Sequence, residues 1–145
     1  MTMTSRYVRI AAPIFAALLL AAAPAVAEMQ KFKAELKGAS EVPPVDSKGS
    51  GTLEATYDTA TKKLTYTVTY SGLSGPPTMA HFHGPAAPTA NAGIVLPATG
   101  PLASPIKGEA TLTDAQAADL QAGRWYFNIH TDAHKPGEIR GQVVK

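Results

Sequence analysis

Hydrophobic and polar residues alternate along most of this chain with a period of two. Phe32, Ala34 and Leu36 fall between Lys31, Lys33, Glu35 and Lys37, the pattern of a strand with one buried face. Gly38 ends that run, and Ala39–Gly51, with Pro43-Pro44, reads as a loop or edge connection. Gly51–Tyr57 alternates again through Leu53, Ala55 and Tyr57. Residues 58–62 are short enough for a hairpin turn, and Lys63–Tyr70 returns with Leu64, Tyr66, Val68 and Tyr70 in step. The β-branched and aromatic content of this pair suits a pleated surface. Beyond the Gly/Pro turn Ser71–Pro77 come further strand candidates at Met79–His83, Gly93–Leu96, Ile106–Leu112, Arg124–Thr131 and Glu138–Val144. Irregular connections are predicted at Gly84–Asn91 and Pro97–Pro105. One helix is predicted, near residues 114–122. Thr113 and Gln116 form a capping-box pair, Asp114 suits the first turn, and Gly123 suits the C-terminal cap. Ala117 and Leu120 are expected on its core side. The pattern predicts an all-β domain, an immunoglobulin-like or Greek-key β-sandwich or barrel of about seven to eight strands. No internal repeat and no long linker divides it.

The first residues follow a different rule. Arg6 and Arg9 precede an apolar stretch from Ile10 to about Ala23, and Ala25-Val26-Ala27 has the small-x-small form of a cleavage site. Pro13 and Pro24 break the stretch, which is shorter than the roughly 20 apolar residues a spanning helix needs. Residues 1–27 are therefore expected to be a cleavable signal peptide of bacterial type. The domain of residues 28–145 would then act in the periplasm or outside the cell, with no transmembrane segment after cleavage. Losing Arg6 and Arg9 leaves 11 Lys+Arg against 11 Asp+Glu. That balance argues against nucleic acid as a partner, since its binding needs a basic stripe. The chain has no cysteine, so disulfides and an N-terminal lipid thioether are both excluded. A domain of this size buries enough surface to be stable without such staples, and a monomer is expected.

Candidate chemistry is concentrated in four histidines. They lie in two strings, His81-Phe82-His83-Gly84 and Asn128-Ile129-His130-Thr131-Asp132-Ala133-His134. Imidazole titrates near neutrality and is the commonest protein metal ligand. His81 and His83 are two residues apart, so on a strand both project from one face. His130 and Asn128 share a face in the same way, opposite Ile129. Were the two strands neighbours, His81, His83 and His130 would form a three-imidazole set with an open fourth position, suited to copper or zinc. The competing reading has the imidazoles bonding carbonyls at a strand–loop corner. His134, in the following turn, is either an outer ligand or an exposed loop residue, and Asp132 is an oxygen donor or an ordinary turn residue. Glu138 and Arg140 share one face of the last strand. They read as a supporting ion pair, or as a guanidinium bonded to a loop carbonyl near the histidines; the alternative is guidance of an anionic substrate. Trp125 and Tyr126 point to opposite faces, so one enters the core and the other is exposed or edges the site; an exposed ring there would offer a carbohydrate platform. Ser71 and Ser74 lack the strand–turn–helix setting of a hydrolase nucleophile. No catalytic residue is expected.

Four strings in order carry a family resemblance: Leu36-Lys37-Gly38-Ala39-Ser40-Glu41-Val42-Pro43-Pro44, Ala80-His81-Phe82-His83-Gly84-Pro85-Ala86, Gly123-Arg124-Trp125-Tyr126-Phe127-Asn128-Ile129-His130-Thr131 and Pro136-Gly137-Glu138-Ile139-Arg140-Gly141-Gln142. Together they resemble the CHRD family, the domain first described in chordin, which also occurs alone in exported bacterial proteins. The resemblance implies an immunoglobulin-like β-barrel distantly similar to Cu/Zn superoxide dismutases, and it brings no settled activity. The further histidine-rich loop and the cysteines of those enzymes are missing here, so their bimetallic site does not carry over. The sequence thus supports an exported, non-enzymatic binding or structural module, its partner an extracytoplasmic protein, glycan or metal ion. The alternative is a small copper or zinc protein, with superoxide-related chemistry one possibility, using His81, His83 and His130, with His134 as a further candidate and Asn128, Glu138 and Arg140 in support.

Overall fold

The computed structural model describes residues 26–145. The leader expected over residues 1–27 lies outside the described residues except for its last two. Eight strands form, all antiparallel: β1 Met29–Lys37, β2 Ser50–Asp58, β3 Lys63–Ser71, β4 Pro77–His83, β5 Ile94–Pro97, β6 Ile106–Thr111, β7 Trp125–Thr131 and β8 Ile139–Val143. A single 3-10 turn at Gly38–Ser40 follows β1, and the helix α1 spans Asp114–Gln121. The strands lie in one sheet in the order β5-β4-β7-β8-β1-β2-β3-β6, curled into a half-barrel. Among the described residues no helix is long and apolar enough to cross a membrane.

Local chemistry explains the elements. The β2–β3 hairpin pairs in full register from Ser50↔Ser71 to Asp58↔Lys63. Its turn is held by Asp58 Oδ1, which accepts the N–H groups of Ala60 (2.9 Å) and Thr61 (3.4 Å), and Lys62 takes the left-handed φ of 59° that closes it. Helix α1 has the predicted capping box. Thr113 Oγ1 accepts from the Gln116 N–H (3.2 Å) while the Gln116 side chain accepts from the Thr113 N–H (2.9 Å). Ala117 and Leu120 are its buried residues.

The core is made by the inward set of each strand: Phe32, Ala34 and Leu36 of β1, Leu53, Ala55 and Tyr57 of β2, Leu64, Tyr66 and Val68 of β3. From β4 and β7 come Ala80, Phe82, Trp125, Phe127 and Ile129. Phe82 sits at the centre of an aromatic group, 4.8 Å from Phe127, 5.0 Å from Tyr66 and 5.7 Å from Trp125 by ring centroid. The edge-on approach of Phe82 to Phe127 and Tyr66 matches the ring quadrupoles. Trp125 is thus the core member of the Trp125–Tyr126 pair. Tyr126 is also buried, so neither ring offers an exposed platform.

Candidate metal centre

β4 pairs with β7 so that Met79 faces His130, His81 faces Asn128 and His83 faces Tyr126. Side chains alternate along strands, which places Met79, His81 and His83 on the same sheet face as His130, Asn128 and Tyr126. The intervening Ala80, Phe82, Phe127 and Ile129 point into the core. On the next strand Arg140 is paired with Asn128 and Gln142 with Tyr126, extending the polar face.

Three imidazoles converge there. His81, His83 and His130 are all buried, and each offers one ring nitrogen within 4.8 Å of the others. His81 Nδ1 and His130 Nε2 are 3.2 Å apart. An ion bonded to three nitrogens at 2.0–2.1 Å sets them roughly 3.4–3.6 Å apart, so the widest pair closes by about an ångström on loading. His134 is not part of this group. Its main chain makes the turn after β7, exchanging hydrogen bonds with Thr131, and Asp132 beside it is exposed.

Backbone carbonyls set the tautomers of two of the rings. His83 Nδ1 lies 3.0 Å from Ala92 O, and His130 Nδ1 lies 2.7 Å from Lys135 O. A carbonyl oxygen only accepts, so both Nδ1 atoms carry their protons and both Nε2 atoms present lone pairs. Those lone pairs meet a further acceptor: Asn128 Oδ1 is 3.1 Å from His83 Nε2 and 3.0 Å from His130 Nε2. His81 Nδ1–H can serve one of them, and nothing donates to the other. The Asn128 side-chain amide thus closes the cluster against the Nε2 atoms of both rings. Burial pushes the His81 imidazole down to about 4, helped by repulsion from His130 and His83. Burial also lowers His83. Rings that stay neutral at neutral pH are in the state a metal needs, with few protons to displace.

The shell behind the triad is built by loops. Residues 84–93 run over the polar face and supply the Ala92 carbonyl. Arg140, only 1% exposed, anchors this loop by donating from Nη1 to Asn91 Oδ1 (2.8 Å) and from Nη2 to Ala90 O (2.6 Å) and Pro88 O (3.3 Å). Asn91 in turn donates to Val42 O (2.8 Å), tying in the loop after β1. The guanidinium carbon sits 3.4 Å from the Tyr126 ring centroid, and that ring stacks on His83 at 4.8 Å with an interplanar angle of 2°. Gln142 donates to Ala86 O (3.0 Å) and Gly123 O (2.8 Å).

Glu138 does not pair with Arg140. Its carboxylate accepts from Ser74 Oγ (2.6 Å), Ser47 Oγ (2.7 Å), Thr131 Oγ1 (2.7 Å) and the Ser74 N–H (2.8 Å). Burial alone would raise its pKa; the four donors outweigh burial and hold it down at about 2. The buried acid near Arg140 is instead Glu41, in the connection after β1. Burial raises Glu41 to about 7 against the pull of Arg140 and Asn128, and its Oε1 has no hydrogen-bond partner. A Cβ on Gly137, whose φ is 137°, would lie 2.7 Å from Asn128 Nδ2 and closer still to Glu41 Oε1. Only glycine fits there. Glu41, Asn91 and Tyr126 join the site through tertiary packing, and the one sequence signal for Glu41 was its place in the first family string.

The CHRD domain family matches residues 32–143, nearly all of the described chain and every element that builds this site. The chain belongs to the CHRD family. No curated protein and no solved structure matches it. This CHRD domain therefore carries its three imidazoles on the two strands, β4 and β7, that hold two of the family strings.

Proposed function

We propose that this CHRD domain works outside the cytoplasm, after removal of its leader, as a non-enzymatic module that holds one copper or zinc ion on His81, His83 and His130. The observation that carries the reading is the convergence of three buried ring nitrogens, from His81, His83 and His130, within 4.8 Å of one another. Two features of the chain support it. Carbonyl partners on His83 and His130 are the usual outer shell of histidine ligands, and three protein ligands leave a coordination position open. Arg140 speaks against anion guidance, because it is almost wholly buried and three of its five N–H groups are given to the 84–93 loop.

Titration of purified residues 28–145 with Zn(II) or Co(II), followed by calorimetry, tests the reading. About one equivalent is expected to bind, with tetrahedral Co(II) absorption. The double variant His81→Ala/His83→Ala is expected to bind none while keeping its far-UV circular dichroism. Stoichiometric binding that survives in the double variant would overturn the ligand set.

A further inference from the structure

We infer that Met79 is a fourth, thioether ligand at the mouth of the triad and that the site is selective for Cu(I). This rests on the trihistidine reading and deepens it. Met79 is two residues before His81 and is paired directly with His130 across the β4–β7 ladder. Directly opposed residues in an antiparallel pair have Cα atoms about 4.5–5.5 Å apart, so Met79 adjoins two of the three imidazoles on their own sheet face. Regular alternation from His81 puts Met79 on that face, and an extra residue, Thr78, lies directly before it, between the Pro77↔Thr131 and Met79↔His130 pairs. A strand bulge of this kind re-aims the side chain beside it.

Burial separates Met79 from its neighbours. His81, His83 and His130 are each less than a tenth exposed, whereas Met79 is 47% exposed. Of the exposed large apolar side chains, Met79 is the one that carries a ligand atom next to the imidazoles. Its unbranched side chain has three free torsions and swings without disturbing the core.

Ligand chemistry then chooses the ion. Imidazole serves copper and zinc alike, but a thioether is soft and favours Cu(I). Among the described residues the ligand group contains no carboxylate, so no hard anionic donor favours a divalent ion over a monovalent one. Three neutral imidazoles and one thioether around Cu(I) leave a site of charge +1 in a buried pocket, a smaller desolvation cost than a divalent ion would bring.

The test compares the wild-type domain with Met79→Leu, which keeps the apolar volume at an exposed position and should fold normally. Cu(I) affinity is measured anaerobically by competition with a chromophoric chelator, Co(II) affinity by absorption, and the Cu(I) coordination shell by X-ray absorption. The wild type is expected to show one sulfur scatterer. The variant should lose it and bind Cu(I) weaker by about tenfold or more, on the scale of losing a supporting group, with Co(II) affinity unchanged. Equal Cu(I) affinity in both proteins, or no sulfur scatterer in the wild type, would overturn the inference and leave the trihistidine site standing. Failure of the wild type to bind either ion would overturn the trihistidine reading itself.

Discussion

Arg140 is a positive charge taken almost wholly out of water, and the groups it bonds or stacks on are neutral: two carbonyls, one amide oxygen and the face of a tyrosine. A guanidinium suits this because its planar fork reaches three acceptors at fixed angles while its face lies on Tyr126. A lysine at the same place keeps the charge and loses both the fork and the stacking. Arg140→Lys is expected to cost about 2–4 kcal/mol in urea denaturation, since hydrogen bonds to a charged group contribute about 1.5–3 kcal/mol and the displaced carbonyls stay buried. Metal affinity should fall far less than stability, because no donor of Arg140 touches the imidazoles. The sequence showed that Arg140 and Glu138 share a face, and it allowed a guanidinium bonded to loop carbonyls as one of two supporting roles. Which carbonyls was not legible. Every residue type has a carbonyl, so the partners of Arg140, His83 and His130 left no mark in the sequence.

At the scale of elements, legibility followed the strength of the local signal. The β2–β3 hairpin and helix α1 carry their own instructions, in alternation and a turn aspartate for one and a capping box for the other, and both formed as read. The cap is accessible to a simple experiment: Thr113→Ala removes the acceptor for the Gln116 N–H and is expected to destabilise the domain by about 1 kcal/mol, seen as a lower urea midpoint at unchanged m-value. β8 begins at Ile139, one residue later than its alternation suggested, although the Glu138 N–H already donates to Ile129 O (2.8 Å). The connections at 84–93 and 41–45 were legible only as irregular. Their paths depend on groups from distant strands, such as the Asn91–Val42 and Gln142–Ala86 bonds. Gly84 shows the same dependence, since a Cβ there would come within 2.6 Å of the Trp125 indole.

For the whole molecule, three buried groups shape the response to pH, and their directions differ. Glu138 is held at about 2, well below an unfolded glutamate near 4.3. Its contribution is therefore complete above the unfolded value and is lost as pH falls towards 2. Glu41, raised to about 7, works the other way and costs stability as pH rises from the unfolded value to 7. His81, lowered to about 4, loses its contribution as pH falls from 6.5, so it opposes Glu41 over the same window. What remains is an acid limb below about pH 4.5, for which Glu138 accounts for on the order of 3 kcal/mol. Urea denaturation at pH 3 and pH 7 should show about 2 kcal/mol of this loss in the wild type, since pH 3 still lies above the folded value, and much less in Glu138→Gln, which starts from a lower stability. A limb equally steep in the variant would assign the acid sensitivity to other groups.

The alternation on β4 and β7 does two jobs with one set of residues: Phe82, Phe127 and Ile129 face the core while His81, His83, Asn128 and His130 face the loops. A slip of one residue in either strand would exchange that strand's two sets, turning its polar residues into the core and its large apolar groups outward. Misregistered molecules therefore lose the binding face and the core together. A chain that assembles the histidine cluster has by that fact already passed the test of correct folding, so an ion held there would mark only properly folded copies.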